Sequence, residues 1–139
     1  NVRRIYELLE GNTYCMQRTF HEAFANTAID GDCTTEILEQ SIRSILEDNG
    51  HTYSRMLAQI PTRQKELLYA IASEGKADKV LGSAFIKRHS LQSASSVQAA
   101  LKKLLALDFI TMEESYYTLP DRFMSLYIKL RQNPSMRLL

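Results

Sequence analysis

The stretch that decides the fold is residues 83–119, SAFIKRHSLQSASSVQAALKKLLALDFITMEESYYTL. Its beginning predicts a short helix over 83–89, followed by a turn at 90–92 that is too short to hold structure of its own. A longer helix is predicted over 93–107, because apolar residues recur there at helical spacing. Two helices joined by a tight turn indicate a helix-turn-helix unit.

Two β-prone runs follow this unit. Residues 109–113 and 116–119 are rich in branched and aromatic side chains and flank Glu114 and Ser115, which predicts a hairpin. A hairpin directly after a helix-turn-helix forms the wing of a winged helix. Asp121 restarts a helix that ends before Pro134.

The segment before this stretch predicts one more helix. Thr62 is a suitable N-cap for a helix running to about Glu74, and Gly75 ends it. Ser83 is a suitable N-cap for the short helix after it. Residues 61–139 are therefore predicted to form a winged-helix domain.

Residues 1–60 predict helices throughout. A second helix begins near Thr13, and its expected inward residues are Tyr14, Met16, Phe20, Ala23 and Phe24. Thr34 caps a third helix, which Asn49 and Gly50 are expected to end or interrupt. The predicted fold class is mainly α: a small helical bundle over 1–60, followed by a winged helix-turn-helix with a short β-hairpin.

The charge distribution divides the chain. Its 139 residues carry a formal net charge of +1, but residues 1–60 sum to −4 and residues 61–139 to +5. The basic half favours a polyanionic partner. No apolar run reaches the ~20 residues of a membrane span, and no signal peptide is recognisable, so we expect a cytoplasmic protein without membrane contact. The helical pattern beginning at Val2 suggests that a longer chain precedes Asn1.

The long helix of the helix-turn-helix supplies the candidate DNA contacts. Once its apolar side is buried, small polar residues and two lysines remain outside, and Lys87 and Arg88 precede the turn. Such residues donate to phosphates and reach base edges, and Gln98 is the best candidate to read a base. The alternative interpretation is that these residues form an ordinary solvated helix face that binds no DNA. The predicted DNA-binding residues are Lys87, Arg88, Ser93, Ser95, Ser96, Gln98, Lys102 and Lys103.

The acidic residues of the wing argue against a phosphate contact there. Glu113 and Glu114 would be repelled by a DNA backbone, so the wing is not expected to bind it.

The sequence gives little support for a catalytic site or a metal site. Cys15 and Cys33 lie far apart without ligand spacing to a histidine and are expected to be reduced, buried thiols. The GxxxxGK[ST] phosphate-binding motif is absent, and Asp30 and Asp32 have no third ligand. We expect no catalytic residue, metal or cofactor in this chain.

Three segments resemble a known family. Residues 61–75, PTRQKELLYAIASEG, and 93–104, SASSVQAALKKL, resemble the C-terminal winged helix of bacterial and archaeal P-loop ATPases of the AAA and STAND type. Residues 11–17, GNTYCMQ, resemble the Gly-Asn-Pro motif that opens the lid helix of those proteins. Together the resemblances span most of the chain.

The resemblance implies a lid that closes over a nucleotide, with Gly11, Asn12 and Thr13 near it. Thr13 stands where the family has proline, and a plain helix-start turn is the alternative interpretation. ATP and Mg²⁺ would then bind only to the full-length protein, through an N-terminal ATPase domain that could also form oligomers.

Three functions remain open. The first is a DNA-binding and nucleotide-sensing region of an ATPase. The second is a protein-interaction or autoregulatory module, for which the acidic wing and the expected exposure of Tyr69 and Tyr116 argue. The third is a stand-alone transcription regulator that dimerises through its first helices.

Overall fold

A computed structural model describes residues 2–139, which form seven helices and one two-stranded hairpin. The hairpin follows the sixth helix, which confirms the predicted fold class. None of the helices in this range is both long and apolar enough to cross a membrane. The elements are α1 Val2–Leu8, α2 Thr13–Asn26, α3 Thr35–Ala58, α4 Thr62–Glu74, α5 Ser83–Arg88, α6 Ala94–Ala106, β1 Thr111–Glu113, β2 Tyr116–Thr118 and α7 Arg122–Gln132.

The inward side of α2 differs from the prediction. Cys15, Thr19 and Ala23 are buried at four-residue spacing, whereas Tyr14 and Phe24 are exposed. Thr19 tolerates burial because its hydroxyl donates to the Cys15 carbonyl oxygen at 2.8 Å. The side facing α3 thus consists of small residues, and the large aromatic residues lie at its edges or outside.

Helix α3 continues past Asn49 and Gly50, so the predicted interruption is wrong. A Cβ at Gly50 would lie 3.5 Å from the Tyr127 ring of α7, and Tyr53 and Leu57 are buried on the following turns. This packing outweighs the roughly 1 kcal/mol that glycine costs inside a helix. The predicted Thr34 cap is confirmed, since its hydroxyl accepts from the Ile37 N–H at 3.2 Å.

Two predicted caps lie one residue too late. Pro61 and Gly82 occupy the N-cap positions of α4 and α5 without a side-chain hydrogen bond, and Thr62 and Ser83 are the first helical residues. Both capping residues have extended backbones, with ψ at 151°. Gly75 ends α4 as predicted, with φ at +76°.

Helix α4 lies at the centre of the basic half. Its residues Leu68, Ile71 and Ala72 are fully buried, and it packs against α6 and α7. Helix α7 also packs against α3, so the buried residues form one cluster across both halves of the chain. The predicted division into domains at residue 60 stays a prediction.

Arg122 at the start of α7 joins the two halves. Its guanidinium donates to Thr118 Oγ1 at 2.6 Å and to the Leu119 carbonyl at 2.9 Å, and it pairs with Glu10 at 2.6 Å. The Arg122 side chain is only 13% exposed, so these partners replace most of its contact with water. The end of α1 is thereby held against the winged-helix half.

Tyr53 makes a second link between the halves. Its hydroxyl lies 3.3 Å from both carboxylate oxygens of Asp121, and its ring lies 5.4 Å from the Tyr127 ring. Burial and the adjacent Asp121 carboxylate raise the pKa of Tyr53, so the phenol stays protonated and donates. Asp121 also caps α7 by accepting from the Met124 N–H at 3.1 Å.

Candidate nucleic-acid interface

Helix α6 begins with a capping serine. Ser93 Oγ accepts from the Ser96 N–H at 3.2 Å, which satisfies one of the free amide groups at the helix start. The buried side of α6 packs against α4 and consists of Val97, Ala100, Leu101 and Leu104. The opposite side is therefore left to solvent.

Most of the predicted contact residues lie together on that open side. Ser95, Gln98, Lys102 and Lys103 are exposed, whereas Ser96 is half-buried. The hydroxyl of Ser93 is used by the cap and also lies 3.2 Å from Ser95 Oγ. The α6 face thus offers the exposed Ser95 hydroxyl near its start, an amide in the middle and two ammonium groups further along.

The short helix α5 adds cations beside this face. Lys87 and Arg88 lie in its last turn and are exposed, and the buried Phe85 anchors the helix to the core. A tight turn leads into α6, with Ser90 at φ +55° and the Leu91 N–H donating to the Ile86 carbonyl at 2.9 Å.

Arg88 is not free, which sequence reasoning missed. Its guanidinium donates to both carboxylate oxygens of Glu74, at 2.9 and 3.3 Å, although the side chain remains 54% exposed. His89 Nε2 also lies 2.9 Å from Glu74. A phosphate would have to share Arg88 with Glu74 or displace it. Nothing in the local pattern pointed to Glu74, which lies fourteen residues earlier.

The sequence of this region carries charges of one sign, although Glu74 of α4 contacts Arg88 and His89. Between Asp78 and Asp108 the sequence contains no acidic residue. An anion approaching α5 and α6 therefore meets an attractive potential. The cations of this segment are Lys79, Lys87, Arg88, Lys102 and Lys103.

The wing has different chemistry. Strands β1 and β2 pair in antiparallel register around a turn at Glu114 and Ser115, and Glu113 and Glu114 are both exposed. These carboxylates disfavour contact with a phosphate backbone. Met112 is also exposed, so the tip offers an acidic and partly apolar surface.

A third extended segment supports the wing, and sequence reasoning also missed it. Ala77 forms a two-bond bridge with Tyr117: its N–H donates at 2.9 Å and its carbonyl accepts at 2.7 Å. Tyr116 is half-buried beneath Lys76, whose ammonium lies 5.2 Å from the ring centroid, and Tyr69 is also half-buried. The expected exposure of these two tyrosines was wrong, because neighbouring chain segments cover them.

The predicted nucleotide motif forms the start of α2. Gly11 has φ +70°, and a Cβ there would lie 2.9 Å from the Tyr6 ring, so glycine is favoured at this position. The Asn12 side chain accepts from the Cys15 N–H at 2.9 Å as the helix cap, and Thr13 is the exposed first helical residue. These roles account for the motif locally, and a nucleotide contact stays a prediction.

The two cysteines differ in environment. Cys15 is buried, and burial raises the pKa of its thiol to about 11, so it is protonated and a poor nucleophile at neutral pH. Cys33 is exposed, so its predicted burial was wrong. Asp30 and Asp32 are exposed in the same loop, and residues 2–139 bring no three His, Cys, Asp or Glu side chains together as metal ligands.

Comparison with protein families gives one match. A family model described as "Probable winged helix domain" matches residues 51–130, which is more than half of the chain. The matched range contains the end of α3, the helix-turn-helix, the wing and most of α7. Searches of curated proteins and of solved structures gave no match.

Proposed function

The chain belongs to the winged helix family that residues 51–130 match, and on that premise we propose that it binds double-stranded DNA through the open side of α6. Winged helices commonly bind DNA. The choice of the α6 residues as the contact surface is specific to this chain. The observation that carries it is the exposed face of Ser95, Gln98, Lys102 and Lys103, in a segment without acidic residues.

The proposed geometry places α6 in the major groove. Ser95 and Ser96 near the helix start donate to phosphate oxygens, where the helix dipole adds about 0.3–1 kcal/mol. Gln98 has the amide group that pairs with the N6 and N7 edge of adenine. Lys102 and Lys103 neutralise phosphates along the groove, and Lys87 contacts the backbone beside it.

The affinity of a single copy is expected to be low. About four cations lie in reach, and a non-specific dissociation constant of roughly 10⁻⁴ to 10⁻⁶ M follows at physiological salt. Several copies held together in an oligomer would bind far more tightly.

Fluorescence anisotropy with a labelled duplex tests the proposal. Four phosphate contacts predict that affinity falls roughly a hundredfold between about 50 and 200 mM salt. Gln98→Ala should lower the preference among duplex sequences while leaving the salt dependence unchanged. Binding that is absent at low salt, or insensitive to salt, would reject DNA as the ligand.

We further propose that the chain is the non-catalytic C-terminal region of a P-loop ATPase, with residues 1–60 as a nucleotide-sensing lid. The support is the sequence resemblance of residues 61–75 and 11–17. In this proposal ATP and Mg²⁺ bind to an N-terminal ATPase domain, and Gly11, Asn12 and Thr13 approach the nucleotide. Reading the codons upstream of Asn1 is the first test, because a start codon immediately before it would reject the ATPase context.

If an ATPase domain precedes this chain, Thr13→Pro tests the lid. Proline suits the first position of a helix, so the substitution restores the family residue without disturbing α2. We expect tighter ATP binding by the full-length protein at an unchanged melting temperature. Thr62→Pro, at the first position of α4, is the matched control and should leave ATP binding as it was.

The wing favours a second candidate function. Glu113 and Glu114 repel DNA, and Arg88 is held by Glu74, as expected if this half instead packs on another protein part and regulates it. Deleting residues 61–139 from the full-length protein would then change its ATPase rate or oligomeric state. If neither changes, the autoregulatory function fails.

A further inference from the structure

A groove in the N-terminal half shares no lining residue with the α6 face. It lies between the C-terminal part of α2 and the loop to α3, has a volume of about 670 Å³ and is lined mainly by apolar side chains. Phe24 and Ile29 border it and are 83% and 96% exposed. Apolar side chains so exposed at one place mark an interaction surface. We call this surface the Phe24 groove.

Local hydrogen bonds give the Phe24 groove its shape. Thr27 Oγ1 donates to the Ala23 carbonyl at 2.7 Å, and the Gly31 N–H donates to the Ala28 carbonyl at 2.9 Å. Asn26 Nδ2 donates to Ser41 Oγ at 3.4 Å and ties the end of α2 to α3. The groove is therefore formed before any partner arrives, which lowers the cost of binding.

The rim of the groove carries acidic side chains from the loop: Asp30 lines it, and Asp32 lies between the lining residues Gly31 and Cys33. Residues 19–42 contain no lysine or arginine, and their five acidic residues are Glu22, Asp30, Asp32, Glu36 and Glu39. Glu22 and Glu39 pair with Arg18 and Arg43, which lie just outside this segment. Within the described range 2–139, no salt bridge involves Asp30, Asp32 or Glu36, and all three are exposed.

We propose that the Phe24 groove binds an amphipathic α-helix of a partner protein that carries lysine or arginine beside its apolar stripe. Apolar side chains at i and i+3 or i+4 of that helix would contact Phe24 and Ile29. Its cations would face Asp30, Asp32 and Glu36. The acidic rim repels nucleic acid, so this site and the α6 face take different classes of ligand.

A designed peptide tests the proposal with the 139-residue chain. The probe is a fluorescein-labelled helical peptide of about 18 residues, with leucine at i, i+3, i+4 and i+7 and lysine at most other positions. We expect it to bind, and Phe24→Ser/Ile29→Ser to weaken binding tenfold or more, because two apolar contacts are lost. Asp30→Asn/Asp32→Asn should weaken binding several-fold and reduce its salt dependence.

A matched control distinguishes binding in the groove from nonspecific hydrophobic binding elsewhere on the surface. Leu107→Ser/Met112→Ser removes two apolar side chains that are 50% and 58% exposed in the winged-helix half. This control should keep full peptide affinity. All variants should melt within a few degrees of the unmodified chain, since the replaced side chains are mostly in water.

Four results would overturn the proposal. They are no binding of the lysine peptide, equal binding of a version with glutamate for lysine, equal weakening by the control, and a chain dimer that Phe24→Ser/Ile29→Ser dissociates in sedimentation experiments. The last would mean that a second copy covers the groove. Duplex titrations of the same variants report on α6 separately, so failure here leaves the DNA proposal unaffected.

Discussion

Residues 19–42 and 79–107 are two surface segments of similar length with opposite character. The first has five acidic residues and no lysine or arginine, and the second has five lysines or arginines and no acidic residue. Residues 19–42 contain the second half of α2, a loop and the first third of α3, and residues 79–107 contain all of α5 and α6. In the acidic segment the end of α2 exposes Phe24 and the following loop exposes Ile29, whereas α6 in the basic segment exposes serine, glutamine and lysine.

The two proposals assign these segments to two kinds of partner. A polyanion is attracted by cations and small donors that allow close approach, and large apolar groups add little. A protein surface gains most of its affinity from buried apolar side chains, with charges setting orientation and partner choice. The proposed sites follow this division, with the polyanion on the basic segment and the partner helix on the acidic segment.

The largest expected effect concerns the link between the halves that carry these segments. Arg122→Met leaves Glu10 unpaired and removes the donor to the Thr118 hydroxyl and the Leu119 carbonyl. We expect a loss of about 3 kcal/mol in the free energy of unfolding, measured by urea denaturation. Arg63→Met, which breaks the exposed Arg63–Glu66 pair, should cost under about 0.5 kcal/mol. Similar losses for both variants would mean that Arg122 does not link the halves.

The second prediction tests the basic segment directly. Lys102→Glu/Lys103→Glu should weaken duplex binding roughly 50-fold at about 0.1 M salt and lower the salt slope by about 1.8, because two phosphate contacts are lost. Arg3→Glu/Arg4→Glu makes the same change in net charge on α1 and should weaken binding far less. If both variants weaken binding equally, the effect belongs to net charge and not to the α6 face.

The third prediction concerns the cation that is shared with an acid. Glu74→Gln should release Arg88 to contact phosphate and raise duplex affinity about fivefold to tenfold at low salt. Glu66→Gln neutralises another acid of α4, and its effect should stay under about twofold. An unchanged or lower affinity in Glu74→Gln would mean that Glu74 holds Arg88 in a useful position.

The smallest expected effect separates paired from unpaired acids in the acidic segment. Burial alone would raise the pKa of Glu39, but the Leu138 N–H, at 3.0 Å, and Arg43 hold it below its usual 4.5. The stability this gives is fully present above the pKa of the unfolded chain and is lost as the pH falls through the lower folded pKa.

Denaturation of Glu39→Gln as a function of pH measures this effect. Between pH 7 and 3 the unmodified chain should lose about 1 kcal/mol more than Glu39→Gln, since only the former has a carboxylate to protonate at that position. Asp30→Asn removes the same charge from an exposed acid without a salt bridge within residues 2–139, and it controls for the loss of one negative charge. Parallel profiles for Glu39→Gln and the unmodified chain would contradict the assignment.

Much of the winged-helix half could be predicted because its signals are local. The apolar spacing in α6, the glycine after α4 and the β-prone runs around Glu114 each depend on residues a few positions apart. The open side of α6 followed from the same periodicity, since the residues that do not face the core must face outward. Ser95, Gln98, Lys102 and Lys103 therefore lie on one exposed face of α6, whereas Ser96 is half-buried and Ser93 forms the cap, and their contact with DNA stays a prediction.

Distant contacts account for what the sequence did not reveal. Glu74 holds Arg88 across fourteen residues, Ala77 bridges to Tyr117, and α3 continues at Gly50 because Tyr127 packs there. The two partners of each pair lie too far apart in the sequence for a local pattern to include both. Phe24 was likewise predicted to lie in the core, although it is exposed. Apolar spacing along a helix does not show which of its apolar residues a neighbouring helix will cover.

The sequence by itself determined the order of elements, most of their ends and the separation of charge into an acidic and a basic half. Periodicity, capping and turn residues act over one or two helical turns, so they can be recognised in the sequence alone. Only the tertiary structure decided which cation is engaged, which aromatic side chain is left in water and how the halves are joined. Those outcomes depend on which helices pack against each other. Several helix faces are equally apolar in the sequence, and close packing of the core buries only some of them.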